Sequence, residues 1–238
     1  VKSMPIDKYC GLPDNKEYEH NIENLDLEDK NQLSDESMLN EAVIAEEEML
    51  KNKKITNTEG ANRSLSKSTL YLITSKGFEA GYTKTFHSIS SIAIAGKDTN
   101  MQRDYEYSSA IHADDLMPPK YIGKKAAERA ASRLNSSKIK SCTLDVIFEP
   151  RVAKSILSSF CSCASGNSIA RGTSFLNNKI NHPVFNHNVN IYNNPKLKRG
   201  VGSSPFDSNG IKSSKINIIK NGLLENYFLN LRSSKQLG

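Results

Sequence analysis

Leu70-Tyr71-Leu72-Ile73-Thr74-Ser75-Lys76-Gly77 sets the fold class. Leu70 and Leu72 alternate with Tyr71 and Ile73 over two faces, which is the period of a β-strand. Ser75-Lys76-Gly77 is a turn signal. The next strand reads from Gly81 to Ala95. Its apolar phase shifts between Ile89 and Ile92, which predicts a bulge at Ser90-Ser91. Gly96-Lys97-Asp98 then turns the chain into the Met101–Tyr107 run. Residues 55–107 therefore read as an antiparallel meander.

Helices flank the meander. Ser34 or Asp35 caps a helix through about Asn52, with Leu39, Val43 and Met49-Leu50 as its apolar stripe. Asp114 or Asp115 caps a second helix, entered through Pro118-Pro119 and running to about Leu134. Its inner face is small: Ile122, Ala126, Ala127, Ala130 and Ala131. Ala on that side permits close helix–sheet approach. The fold class is α+β, an antiparallel sheet meander with packed helices.

Farther along, Cys142, Leu144, Val146 and Phe148 alternate as a strand over 140–149. Pro150 then opens a helix, with Gly166 as its stop. Val189–Tyr192 reads as a short strand. Ile216–Ile219, Asn221-Gly222 and Leu223–Leu231 form the clearest hairpin, because Asn-Gly suits a type I′ turn. Residues 193–214 read as a long loop of the kind that carries function. Two regions follow: an N-terminal α+β domain over 1–135 and the start of a β-rich domain over 136–238. The chain begins at Val1 and closes after an apparent strand, so both ends read as cut from something longer.

The 238 residues carry a net charge of +6 and no Trp. The charge is uneven. Residues 1–60 hold 15 acidic and 7 basic side chains, and the remainder 11 and 25. The basic excess is scattered Lys rather than a block, which points to solvated faces rather than a nucleic-acid footprint. The four cysteines, Cys10, Cys142, Cys161 and Cys163, form no Cys-x-x-Cys motif. With no long apolar run, the expected compartment is a reducing cytoplasm with free, mostly buried thiols.

Self-contained chemistry is sparse. Gly166-Asn167-Ser168-Ile169-Ala170 is one residue short of a nucleophile elbow and follows a helix rather than a strand. His182 and His187 flank a loop with no Cys or carboxylate nearby, so they read as surface histidines. His112-Ala113-Asp114-Asp115 is explained by helix capping. Asp207-Ser208-Asn209-Gly210 starts like a calcium loop, but its Gly comes early and no Glu completes it. No His-Glu-x-x-His, Walker loop or Gly-x-Gly-x-x-Gly occurs.

Four ordered motifs change this position. They are Met101-Gln102-Arg103-Asp104-Tyr105-Glu106-Tyr107-Ser108-Ser109-Ala110, Phe148-Glu149-Pro150-Arg151-Val152-Ala153, Arg171-Gly172-Thr173-Ser174-Phe175-Leu176, and Arg199-Gly200-Val201-Gly202-Ser203-Ser204-Pro205-Phe206-Asp207. With Asn221-Gly222 and the closing Arg232–Gly238 run, they resemble the TldD/PmbA family over essentially the whole chain. The family pairs cytoplasmic proteins. Its TldD-like members carry His-Glu-x-x-x-His on a helix, with two His for zinc and a Glu to activate water. Its PmbA/TldE-like members lack that motif. The helix after Pro150 has no His, Asp or Glu from Arg151 to Arg171, so this chain resembles the second kind. Aligning Gly172-Thr173-Ser174 puts Leu157, Ser158 and Ser162 where a TldD-like chain keeps its ligands, with Leu157 expected to pack on the apolar side.

The resemblance implies a metal-free subunit with no catalytic residue or cofactor of its own, zinc residing on a TldD-like partner. Any metallopeptidase activity would then belong to the heteromeric complex. The implied activity is proteolysis of small unfolded peptides and maturation of a peptide microcin. The implied partners are the TldD-like subunit, extended peptides and DNA gyrase, with no membrane. Regulation of gyrase without proteolysis is the alternative. Arg103, Asp104, Arg171, Ser174, Arg199, Phe206 and Asp207 are the substrate or interface candidates. The plainer role for Arg171, Arg199 and the Pro205-Phe206-Asp207 turn is fixing the fold.

Overall fold

The computed structural model describes residues 5–31 and 33–238. Helix α1 spans Asp35–Leu50, with Ser34 Oγ accepting from the Ser37 amide. The meander follows as β1 (Ile55–Ile73), β2 (Glu79–Ala95) and β3 (Gln102–Ala110). They form an antiparallel sheet in the order β1-β2-β3. The turn at Gly77 closes with the Thr74 amide donating to the Phe78 carbonyl at 2.9 Å.

The expected bulge at Ser90-Ser91 is absent. Pairing is continuous through that point, and the register shifts instead at Ile55/Asn57 and Thr58/Gly60 on β1. The phase change has another cause. Thr85, His87, Ile89, Ser91, Ala93 and Ala95 all point into the core, while Ile92 and Ile94 lie on the other, half-covered face. Both faces of β2 carry apolar residues there, so the pattern imitates a slip.

Helix α2 (Pro119–Ser132) lies with α1 against the inward face. Ile122, Ala126, Ala127 and Ala130 are fully buried. At Gly123 a Cβ would stand 2.0 Å from the Ala45 carbonyl oxygen, so the α1–α2 crossing requires glycine. Neither Asp114 nor Asp115 caps α2. They sit in a single 3-10 turn, and Pro118 holds the N-cap without a side-chain bond. Proline in the first turn lacks an N–H to satisfy, which lowers the need for a cap.

Residues 136–149 form no strand. Leu144, Val146 and Phe148 are exposed there. The alternation suits a strand, but no neighbour among the described residues supplies the ladder that a strand's backbone groups need. Helix α3 runs Pro150–Cys163, and Gly166 does not end it: it opens the short helix α4, Gly166–Ala170, behind the Ser165 cap.

A second sheet joins β4 (Ile191–Asn193), β5 (Ile216–Lys220) and β6 (Leu223–Leu224). The Asn221-Gly222 turn has both φ angles positive, as a type I′ turn needs. The second arm stops after two residues. The chain closes in helix α5, Leu231–Leu237, rather than a strand, because Asn230 and Ser233 form a reciprocal capping box. The thiols differ from expectation as well: Cys10 and Cys142 are exposed, and Cys161 and Cys163 are half-buried.

Residues 193–214 act as a bracket. The Glu19 amide donates to the Gly210 carbonyl and the Lys212 amide to the Glu17 carbonyl, each at 2.9 Å. Residues 22–31 form a strap on β2 beyond the end of β3. There the Thr85 amide donates to the Leu27 carbonyl at 3.0 Å, and Leu25 and Leu27 bury against Ile111.

Candidate functional site: the bare helix and its charged root

Helix α3 is amphipathic by sequence but only partly covered. Phe160 is buried and meets Phe185 edge-on at 5.1 Å. Val152, Ile156 and Leu157 remain 49%, 48% and 47% exposed. The expected packing of Leu157 is therefore not found, since none of the described residues covers that side. The opposite face is hydroxyl-rich, and three of its hydroxyls, on Ser155, Ser159 and Ser162, bond helix carbonyls. Ser162 Oγ donates to the Ser158 carbonyl at 3.0 Å, and Ser159 Oγ to the Ser155 carbonyl at 2.9 Å. A hydrocarbon and neutral serine hydroxyls are no zinc donor set, so Leu157, Ser158 and Ser162 do not fit that metal. Among the described residues no group of three or more His, Cys, Asp or Glu is placed to hold a metal ion.

The root of α3 is fixed by ions instead. Asp104 on β3 accepts from Arg151 Nη1 at 3.0 Å and from Arg133 Nη1 at 3.2 Å. Glu149 accepts from Arg151 Nε at 3.0 Å and from Arg129 Nη2 at 2.7 Å. Arg129 also bonds Glu106. Arg151 donates to the Tyr105 carbonyl at 2.7 Å, and its guanidinium stands 4.8 Å over the Tyr105 ring. Lys154 lies over Tyr107 one turn later. Burial by itself would raise the Asp104 carboxyl, but bonds from Arg151, the Tyr105 amide and Arg133 outweigh it and hold it below the usual value. Glu149 is likewise lowered, chiefly by its Arg151 bond, which in turn raises the guanidinium.

The same carboxylates blunt the sheet edge. β3 is the edge strand of its sheet. The Tyr105 amide is taken by Asp104 Oδ1 at 2.8 Å and the Tyr107 amide by Glu106 Oε1 at 3.0 Å. These bonds leave fewer groups free for an added strand.

The other predicted residues do not converge here. Arg103 is exposed and pairs with Glu59 through two bonds of 2.6 and 2.8 Å. Arg171 is exposed at the C-terminus of α4, and buried Ser174 Oγ accepts from the Leu176 amide at 3.1 Å. Arg199 adopts φ 53° and pins the strap. Its Nε donates to Asp26 at 2.6 Å, its Nη1 to Asp115 at 3.2 Å, and its amide to the Leu25 carbonyl at 2.9 Å. Phe206 is buried edge-on to Phe78 and Tyr82. Asp207 Oδ1 accepts from the Asn209 and Ile211 amides at 2.9 and 2.8 Å, as a turn cap does. His182 and His187 are exposed in their loop. Sequence reasoning missed Glu149, Arg151 and Arg129 as one cluster. The opposed charges flanking Pro150 were its only signal.

The molecule is thus an α+β chain whose bare helix is anchored by an ion cluster. Known proteins place it. Residues 20–134 match the model of the PmbA/TldA metallopeptidase central domain, and residues 141–238 that of the PmbA/TldA metallopeptidase C-terminal domain. The chain belongs to the PmbA/TldD metallopeptidase family. It is 32% identical over 237 residues to the metalloprotease PmbA homolog of Buchnera aphidicola, covering 99% of this chain and 53% of that protein. It is 31% identical over 233 residues to metalloprotease PmbA of Escherichia coli O157:H7, covering 98% and 52%. A crystal structure from Bacteroides thetaiotaomicron, assigned as a modulator of DNA gyrase, superposes with a TM-score of 0.93 at 26% identity, covering 100% of this chain and 55% of that one. The chain spans about half the length of the curated relatives it matches. No helix among the described residues is long and apolar enough to cross a membrane.

Proposed function

We propose that this chain is a metal-free, PmbA/TldE-like subunit that contributes to peptide proteolysis in a complex whose zinc sits on a TldD-like partner. Small unfolded peptides and a maturing peptide microcin are the proposed substrates. The observation that carries the reading is the chemistry of α3. Aligned on Gly172-Thr173-Ser174, Leu157, Ser158 and Ser162 fall where the catalytic members keep His, Glu and His, and α3 offers a hydrocarbon and serine hydroxyls there, with Ser155, Ser159 and Ser162 bonding helix carbonyls. In this reading Asp104, Glu149 and Arg151 hold α3 against β3 and reach no substrate. The test is to purify the full chain alone and with its TldD-like partner, then assay bound zinc and cleavage of unstructured peptides. Zinc and cleavage are expected only with the partner. Stoichiometric zinc on the lone chain together with peptide cleavage would overturn the reading.

A second reading is regulation of DNA gyrase without proteolysis. The name carried by the Bacteroides relative and the basic balance of residues 61–238 favour it. Co-purification with gyrase and no TldD-like partner would support it. A steep loss of binding with added salt would identify direct nucleic-acid contact.

A further inference from the structure

A second charged system lies on the inward face of the sheet, remote from α3. His87 on β2 is fully buried, and its neighbours differ in charge on its two sides. Arg63 of β1, with a side chain only 1% exposed, puts Nη2 3.3 Å from His87 Nδ1. Asp29 of the strap puts Oδ2 3.4 Å from His87 Nε2. A guanidinium can only donate, so Nδ1 must accept and the ring proton must sit on Nε2, facing Asp29. Nε2 has no hydrogen-bond partner among the described residues, Asp29 standing off at 3.4 Å. The imidazole thus stands between a cation that it bonds and an anion that it faces.

The system extends both ways. Arg63 Nε donates to Glu41 of α1 at 2.6 Å. Asp29 accepts from the Ala113 and Asn31 amides at 2.9 Å each, and His112 Nδ1 lies 3.8 Å from its Oδ1. The groups facing His87 are therefore Arg63, Asp29, His112 and, through Arg63, Glu41. Helix α1 buries only Ala45 and Met49, both in its second half. Its first half has Glu41–Arg63 as its ionic tie to the sheet.

We propose that His87 is a proton-operated latch: the neutral ring accepts from Arg63 and so holds the Glu41–Arg63 pair on the sheet, and a second proton releases Arg63 and loosens the first half of α1. The second proton must go on Nδ1. It removes the acceptor that Arg63 uses and sets two cations 3.3 Å apart in a buried place. Asp29 is drawn closer by the same event, so the strap holds while the α1 side lets go. Burial first, and Arg63 second, keep the ring's pKa below its ordinary value. The folded state binds that proton less well than the unfolded chain. The latch is intact above about pH 6.5 and is lost as pH falls through the lowered folded value. This device is independent of the peptidase reading.

The test combines ring NMR with amide hydrogen exchange, corrected for intrinsic rates, on the full chain. Near neutral pH the ring should show Nε2–H and bare Nδ1. As the ring titrates, exchange in the first turns of α1 should rise by about tenfold per pH unit, while the strap amides stay protected. The variant His87→Gln keeps an acceptor for Arg63 and a donor for Asp29 without a titrating charge, and its α1 should show no such step. A ring that titrates at or above its ordinary value, or an α1 step that persists in His87→Gln, overturns the latch. If His87→Gln fails to fold, the wild-type chain still decides: coincident midpoints for ring and α1 support the proposal, and separate midpoints refute it.

Discussion

Helices α2 and α3 are each fourteen residues long and begin with proline, yet the chain treats them differently. α2 buries its whole apolar side on the sheet, with Ile122, Ala126 and Ala130 fully enclosed. α3 buries only Phe160 and leaves Val152, Ile156 and Leu157 half exposed. α2 is held by close contact of small side chains. α3 is held at its root by Asp104, Glu149 and Arg151. An amphipathic pattern shows that a face is built for burial, but not what covers it.

This contrast can be broken or sharpened by substitution. The largest effect should come from Ile122→Ala, which empties a fully buried site between α1, α2 and β2. Stability should fall by about 2–5 kcal/mol in urea titration; a change below about 1 kcal/mol would show that α2 is not held by its apolar face. Asp104→Asn comes next. It removes a buried charge from two arginines and should weaken folding by about 1–3 kcal/mol, with the exchange increase concentrated in the first turns of α3. The same pair sets an acid response. Because the Asp104 pKa is lowered in the folded state, its contribution persists through neutral pH. It fades only as pH falls below the ordinary carboxylate value and through the depressed one. Exchange at the root of α3 followed down the acid range should show that late loss. The smallest effect should be Leu157→Ser, within about 0.5 kcal/mol for the chain alone. A larger loss in thermal or urea unfolding would mean that something covers this side of α3 after all.

Much of the fold was legible. The period-two runs marked β1 to β3, Ser34 marked the start of α1, and Ala126, Ala127 and Ala130 marked the inward face of α2. These signals are local, and local periodicity follows directly from helix and strand geometry. Failures came where a distant partner decides. Residues 140–149 alternate like a strand but find no ladder. The second hairpin arm stops after Leu224, and Asn230 with Ser233 starts a helix in its place. Ser90-Ser91 imitated a bulge because both faces of β2 carry apolar residues.

The candidate site divides the same way. The sequence by itself determined that α3 carries no carboxylate, histidine or metal-ligand pattern, because the absence of a residue type needs no coordinates. It also supplied the ordered motifs that resemble the TldD/PmbA family. Only the tertiary structure decided that Arg199, Phe206 and Asp207 brace the strap and bracket, that Asp104 meets Arg151 across 47 positions, and that His87 stands between Arg63 and Asp29. Ion pairs and buried rings act over a few ångströms, and the distance between two side chains far apart in the chain exists only once the sheet has formed.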